Sequence, residues 1–371
     1  MRVGVPTEIK NNEFRVGLSP ASVREYVGRG HEVTVQAGAG AGIGCDDAAY
    51  EAAGASIAPD AAAVFKWAEM IVKVKEPQPE EWVQLREDQI LYTYLHLAPD
   101  PKQTQGLLES GVSAVAYETV TDAAGGLPLL APMSEVAGRL SIQAAAQALQ
   151  KNNGGLGMLL GGVPGVLPAK VVVLGGGIVG LNAARMAMGL GADVTIMERS
   201  NARMRYIDDV FGGRIRTRYS TAQDVDEAID EADAVIGAVL IPGASAPKLV
   251  TREMLKDMKP GSVVVDVAID QGGCFETSHA TTHADPTYVV EEVVHYCVAN
   301  MPGAVPKTST HALNNATLPY GLQLADQGLE AIKANPHLQD GLNTHKGKVT
   351  NMHVAESLNL DFVAPLDALG W

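Results

Sequence analysis

Three ionisable residues toward the N-terminus stand where a parallel sheet would present them to a ligand. Arg15 lies in the polar loop NNEFRVGLSP after a short apolar run, Lys75 ends the run IVKVK, and His96 ends the run ILYTYLH. Open parallel sheets bind ligands beyond the carboxyl ends of their strands. Two cations and an imidazole gathered there suit an anionic oxo- or amino-acid substrate. Arg15 offers a two-pronged grip on a carboxylate. Lys75 can polarise a carbonyl or bind a carboxylate, and His96 can move a proton near neutral pH. Further on, VVVDVAIDQGG places Asp266 within a strand and Asp270 just beyond its end. Asp270 could orient a water or an imidazole, or serve as a turn residue before Gly272.

A second chemistry is written between positions 169 and 198, AKVVVLGGGIVGLNAARMAMGLGADVTIME. Val171 to Leu174 form an apolar run that suits a strand buried on both faces. Gly175, Gly177 and Gly180 follow in Gly-x-Gly-x-x-Gly spacing, then a helix over Ala183–Gly191 and a second strand, Asp193 to Met197, ending on Glu198. In this reading Gly175 permits the tight turn, Gly177 admits a pyrophosphate to the backbone, and Gly180 allows close helix–strand packing. The helix start favours phosphate charge. Glu198 is placed to accept hydrogen bonds from ribose hydroxyls and to repel a 2′-phosphate, so NAD is expected over NADP, with Arg199 and Arg203 as a partial counterweight.

The remaining elements must position these groups. Arg2–Val5 reads as a strand, Pro20–Arg29 as a helix capped by Ser19 with proline at its first position, and Glu32–Val35 as the next strand. Apolar runs at Met70–Val74, Ile90–Leu95 and Val112–Tyr117 complete a parallel sheet without a glycine fingerprint. The alanine-rich segment Ser134–Leu149 predicts a linking helix. Ala234–Val239, Ser262–Ala268 and Tyr296–Ala299 predict further strands, and Thr308–Ala334 a long helix interrupted by Pro319 that returns to the first domain. The expected fold is α/β, with two Rossmann-like doubly wound parallel-sheet domains, a cleft between them, and long helices joining them. Residues 1–128 with 307–371 form the discontinuous substrate domain, and 129–306 the NAD-binding domain.

Composition narrows the partners. The 371 residues carry a formal net charge of −15, which opposes binding to nucleic acid or anionic membrane. No apolar run approaches the roughly 20 residues needed to span a bilayer, and the charged start MRVGVPTEIKNNEFR is unlike a signal peptide, so a cytoplasmic location is expected. Cys45, Cys274 and Cys297 lack metal-site spacing and suit a reducing compartment. His279, His283, His295 and His311 are not spaced as metal ligands.

The chain resembles the family that unites L-alanine dehydrogenases with the NAD-binding portion of proton-translocating transhydrogenase. The resemblance spans essentially the whole length. It rests on MRVGVPTEIKNNEFRV at the start, KVKEP at 73–77, LHLA at 95–98, LLAPMSEVAGR at 129–139, the glycine loop, DVAIDQGG at 266–273 and VANMPGAVPKTST at 298–310. It implies reversible oxidative deamination of L-alanine to pyruvate and ammonia with NAD, glyoxylate amination as a neighbouring activity, and a homohexamer. It also implies that Arg15 and Lys75 bind substrate and that His96 and Asp270 are catalytic. Cofactor contacts are implied at Ser134, Ile178, Val179, Glu198, Arg203, Ser220, Val239, Leu240, Val267, Ala268, Ile269, Asp270, Val298, Ala299, Asn300 and Met301. Gln327 stands where a family histidine, with a glutamate matching Glu118, can hold a metal, so no metal is expected here. A transhydrogenase-type hydride-transfer subunit is the alternative, disfavoured by the set of Arg15, Lys75 and His96.

Overall fold

The computed structural model describes residues 1–239 and 246–371. It divides into two compact units, Met1–Met133 with Val305–Trp371, and Ser134–Ala304.

In the first unit six strands alternate with helices: β1 (Arg2–Val5), β2 (Glu32–Gln36), β3 (Ser56–Ala58), β4 (Met70–Val72), β5 (Ile90–Thr93) and β6 (Ser113–Ala116). They pair in parallel in the order β3-β2-β1-β4-β5-β6. The order reverses at β1 and β4, the place where a doubly wound sheet opens a ligand crevice. β4, β5 and β6 are buried at every position, as strands covered on both faces must be. The helix Pro20–Gly28 forms as its sequence signals demand. Ser19 accepts the amide of Ser22, and Pro20 takes a first-turn position where its missing N–H costs nothing.

The second unit repeats the plan with β7 (Lys170–Leu174), β8 (Asp193–Glu198), β9 (Arg216–Tyr219), β10 (Ala234–Gly237), β11 (Val263–Asp266), β12 (Thr287–Val290) and β13 (Val293–Tyr296). The parallel order is β9-β8-β7-β10-β11-β13, reversing at β7 and β10, with β12 antiparallel on the β13 edge. The chain then returns to the first unit through the helix Pro306–Gln327. It adds a hairpin, β14 (Leu342–His345) and β15 (Lys348–Val349), antiparallel beyond β6. Lys346 and Gly347 both have positive φ, the two-residue turn that matches strand twist.

Both sheets are parallel-dominated as expected, and each adds antiparallel strand pairing at one edge. Three expected elements need correction. The last parallel strand is Val293–Tyr296, one segment before Tyr296–Ala299. Val294, His295 and Tyr296 take the places beside β11, and residues 297–300 lie past the carboxyl end of β13. The helix after the glycine loop starts at Ile178 and ends at Gly189, so the loop glycines abut it directly. Pro319 does not interrupt its helix; Pro306–Gln327 runs through it, and the break falls at Gly328, whose φ is +60°. No helix among the described residues is long and apolar enough to cross a membrane.

Candidate active site

Four neighbouring strands of the first sheet, β1, β4, β5 and β6, deliver Arg15, Lys75, His96 and Glu118 from the segments that follow them. Arg15 is buried, and its Nε and Nη2 donate to the two carboxylate oxygens of Glu13 at 2.7 and 2.5 Å. Its Nη1 lies 3.1 Å from Met133 Sδ. Burial works against the guanidinium charge, but Glu13 outweighs it and holds the group above its ordinary value. Lys75 is half-buried, with Nζ 3.9 Å from Glu76 Oε2, and its amide donates to Glu8 Oε2 at 3.3 Å. His96 is exposed and lies in the left-handed region at φ +51°. Its ring stacks on Tyr94 at 5.8 Å and an interplanar angle of 6°. Tyr94 is buried with its hydroxyl donating to Leu129 O at 2.6 Å, and burial pushes its ionisation far up, so it stays a neutral platform.

Beneath these groups lies a layer that the sequence reading missed. Lys73 is fully buried, with Nζ donating to Glu81 Oε1 at 2.7 Å and Glu8 Oε2 at 3.1 Å. Glu8 also accepts the Val74 amide at 2.6 Å, so one carboxylate fixes the whole exit of β4 that carries Lys75. Burial raises the Glu8 carboxyl above its ordinary value even though Lys73 opposes it. Lysine before an acid-rich stretch, KVKEP with EE at 80–81, was the available signal; which lysine faced inward was not decided by type.

In the second unit the glycine loop and the segments after β8, β10, β11 and β13 carry most of the residues expected to hold a nucleotide. Gly175 follows β7 at φ +96°, and a Cβ there would stand 3.0 Å from Val239 Cγ2 and 3.1 Å from Ala238 O. A Cβ on Gly180 would stand 1.9 Å from Gly175 O, so only glycine permits this helix to close on its strand. A Cβ on Gly177 would meet nothing within 4 Å. Gly177 is also the N-cap of Ile178–Gly189 and brings no side chain to the first amides. The helix start thus keeps its amides and its positive dipole end available to an anion. Val179 lies under the crossing helix Ala131–Ala148, whose Gly138 approaches Val179 O so closely that a Cβ would sit at 2.3 Å. Ser134 stands in the first turn of that helix, and Ile178 is exposed.

Glu198 ends β8, accepting the Gly176 amide on Oε2 at 2.8 Å and the Arg199 and Ser200 amides on Oε1 at 2.7 and 2.8 Å. A carboxylate has about four lone-pair sites, so this pinned group still has an acceptor for a hydroxyl. Arg203 Nε donates to Gly176 O at 2.5 Å with its guanidinium over Tyr206, and Arg199 Nε donates to Ser220 O at 3.3 Å. Val239 follows β10; the expected contact at Leu240 lies outside the described residues. Val267, Ala268, Ile269 and Asp270 form one short turn at the end of β11. Val298 and Ala299 follow β13, Asn300 has φ +62°, and Met301 opens the next turn. His283 Nε2 lies 3.1 Å from Asn300 O, a support not read from the sequence.

The two aspartates separate cleanly. Asp266 is buried and accepts the Cys274 amide at 2.9 Å and the Ser278 hydroxyl at 2.6 Å on Oδ2, so it builds the loop behind the site. Asp270 is exposed at the strand end. At the positions matching the family's metal pair, Glu118 accepts the Leu95 and His96 amides and position 327 carries an exposed amide side chain in place of an imidazole. No group of three potential metal-ligating side chains occurs among the described residues.

Two family models cover the chain: Alanine dehydrogenase/PNT, N-terminal domain, over residues 4–137, and the C-terminal domain over 141–352. The chain belongs to the alanine dehydrogenase/PNT family. It is 59% identical over 371 residues to an alanine dehydrogenase of Halomonas elongata, and 54% identical over 370 residues to one of Mycobacterium tuberculosis, covering 100% of both chains in each comparison. A solved L-alanine dehydrogenase superposes at TM-score 0.94 with 52% identity, over 97% of this chain and 99% of that one. A transhydrogenase from Sinorhizobium meliloti superposes at 0.81 with 29% identity, over 95% and 99%.

Proposed function

We propose that this chain is an NAD-dependent L-alanine dehydrogenase, converting L-alanine, NAD⁺ and water reversibly to pyruvate, ammonium, NADH and a proton. The observation that carries the reading is the row of Arg15, Lys75 and His96 delivered by adjacent strands at the crevice of a sheet, with Asp270 at the equivalent edge of the glycine-loop sheet. The nicotinamide, when bound, accepts the Cα hydride.

The chain's own residues do the rest. Arg15 and Lys75 take the alanine carboxylate and fix the Cα hydrogen's direction, which supplies much of the acceleration by orientation alone. His96 removes the proton from the water that adds to the imine, with Asp270 ordering that step, and returns it as ammonia leaves the carbinolamine. Gly177 and the start of Ile178–Gly189 take the pyrophosphate, and Glu198 the ribose hydroxyls, which disfavours NADP. Glyoxylate is a second oxo-acid substrate, since it loses only a methyl contact of about 1–3 kcal/mol. The exposed apolar segment Leu159, Val163, Val166 and Leu167, the last 83% exposed, supports self-association into a homohexamer. The protein acts in the cytoplasm. A transhydrogenase-type role would use the glycine-loop site but leave Arg15, Lys75 and His96 without a substrate.

The test uses His96→Asn, which tolerates the left-handed backbone, and Asp270→Asn. Each is expected to lower alanine turnover at least about a hundredfold, while NADH fluorescence titrations of His96→Asn stay as in the wild type. Near-normal turnover in either variant removes that residue from the chemistry.

A further inference from the structure

The cations at the carboxyl edge of the first sheet meet their carboxylates in different ways. Arg15 is paired with Glu13, and Lys73 with Glu8 and Glu81, all at hydrogen-bond distance. Lys75 stands back, its Nζ 3.9 Å from Glu76 Oε2, which is outside hydrogen-bond reach. The cation that Glu76 does engage is Lys10, whose Nζ donates to Oε1. Oε2 is buried and has no hydrogen-bond partner among the described residues. Burial opposes the Glu76 charge, but Lys75 and Lys10 together prevail and hold its carboxyl below the ordinary carboxylate value. Glu76 is thus an anion near neutral pH, and it lies between two lysines.

The backbone around this pair is fixed from both sides. Glu8 accepts the Val74 and Lys75 amides, and Gln78 Nε2 donates to Glu76 O at 2.9 Å. Pro77 confines Glu76 to extended backbone. Side-chain rotation alone therefore decides which lysine the carboxylate serves. Lys10 comes from the loop after β1 that also carries Arg15. Its turn is closed by the Glu13 amide donating to Lys10 O at 3.1 Å, with Asn12 at φ +58°. The Lys10 side chain is 38% exposed against 13% for Glu76 and 12% for Lys75. A charge as sheltered as that of Glu76 needs a cation close by. Without Lys10, the nearest one is Lys75.

We propose that Lys10 is a positioning residue for Lys75, acting through Glu76: by engaging one oxygen of this carboxylate it keeps Glu76 from closing on the Lys75 ammonium, which stays available to the carboxylate of the substrate. The inference rests on the reading of Lys75 as a substrate cation. An ammonium locked in a direct ion pair has to break that pair for each substrate it takes. One held at 3.9 Å does not.

The test is a double-mutant cycle on the full-length protein, with folding checked by circular dichroism and NADH binding. In Lys10→Met, KM for pyruvate in reductive amination is expected to rise about threefold to tenfold. Its kcat should stay within about twofold of the wild type, since the chemistry is untouched. Lys10→Arg, which keeps the charge, should restore KM. Glu76→Gln removes the competing anion, so its KM should be no higher than that of the wild type. The sign of the coupling carries the test: Lys10→Met with Glu76→Gln should bind pyruvate better than Lys10→Met alone, a recovery that a purely structural salt bridge does not give. A wild-type KM in Lys10→Met, or a double variant no better than Lys10→Met, would overturn the proposal. Lys75→Ala separates the two layers. If its KM for pyruvate is unchanged, the reading of Lys75 as a substrate cation fails. If that KM rises while Lys10→Met is normal, only the positioning role fails.

Discussion

Lys73 and Lys75 sit two positions apart yet answer to different physics. Lys73 is fully buried between Glu8 and Glu81, whereas Lys75 is half-buried with its ammonium 3.9 Å from Glu76. Removing one member of a buried ion set leaves uncompensated charge, at about 3–5 kcal/mol. Lys73→Met is therefore expected to lower stability by about that amount, and adding Glu8→Gln should recover part of it. Lys75→Ala should unfold like the wild type yet raise KM for pyruvate at least about tenfold. Chemical denaturation beside steady-state kinetics checks both, and a stable Lys73→Met protein would contradict the account of the triad. Burial opposes the Lys73 charge, but Glu8 and Glu81 prevail and raise it above the usual 10.5. A raised lysine contributes stability in full below its unfolded value and loses it only as pH rises through the folded one. The triad accordingly stays intact in moderately alkaline solution, where deamination is best followed.

At the scale of elements, the glycine loop shows why part of the fold was legible and part was not. Strand, turn, helix and acid follow one another in one segment, and each has a local signature: the run Val171–Leu174, the positive φ at Gly175, the absent Cβ at Gly180 and the acid closing β8. Gly180→Ala places a Cβ 1.9 Å from Gly175 O. It is expected to weaken NADH binding at least about tenfold and to cost about 1–3 kcal/mol of stability through overpacking. Fluorescence titration and thermal unfolding read the two effects, and unaltered NADH affinity would show that the loop does not carry the dinucleotide. The hairpin β14–β15 and the tie between Glu8 and Lys73 were not legible, because their partners are distant in sequence and the deciding contact is tertiary. Pro319 misled for a related reason. A helix can absorb one missing amide when packing holds it, and the true stop was Gly328.

For the whole molecule, two sheets of the same strand order carry two different kits at their carboxyl edges. One kit, Arg15, Lys75 and His96, suits an anionic small acid; the other, the glycine loop with Glu198 and the 267–270 turn, suits a dinucleotide. The candidate residues could be nominated from the sequence because strand exits concentrate function in doubly wound sheets. The supports Glu8, Glu13, Glu118 and His283 were not, because an acid or an imidazole in a loop reads the same whether it binds a ligand or holds backbone. The central claim is that these kits serve one reaction, oxidation of L-alanine with NAD. The most direct measurement is NADH formation at alkaline pH from L-alanine, with L-serine, L-lysine and no amino acid alongside, and NADP replacing NAD in parallel. The account predicts strong NADH production that depends on alanine and on NAD and is weak with NADP. No alanine-dependent turnover by protein that still binds NADH would contradict it and favour a hydride-transfer or binding role for the same fold.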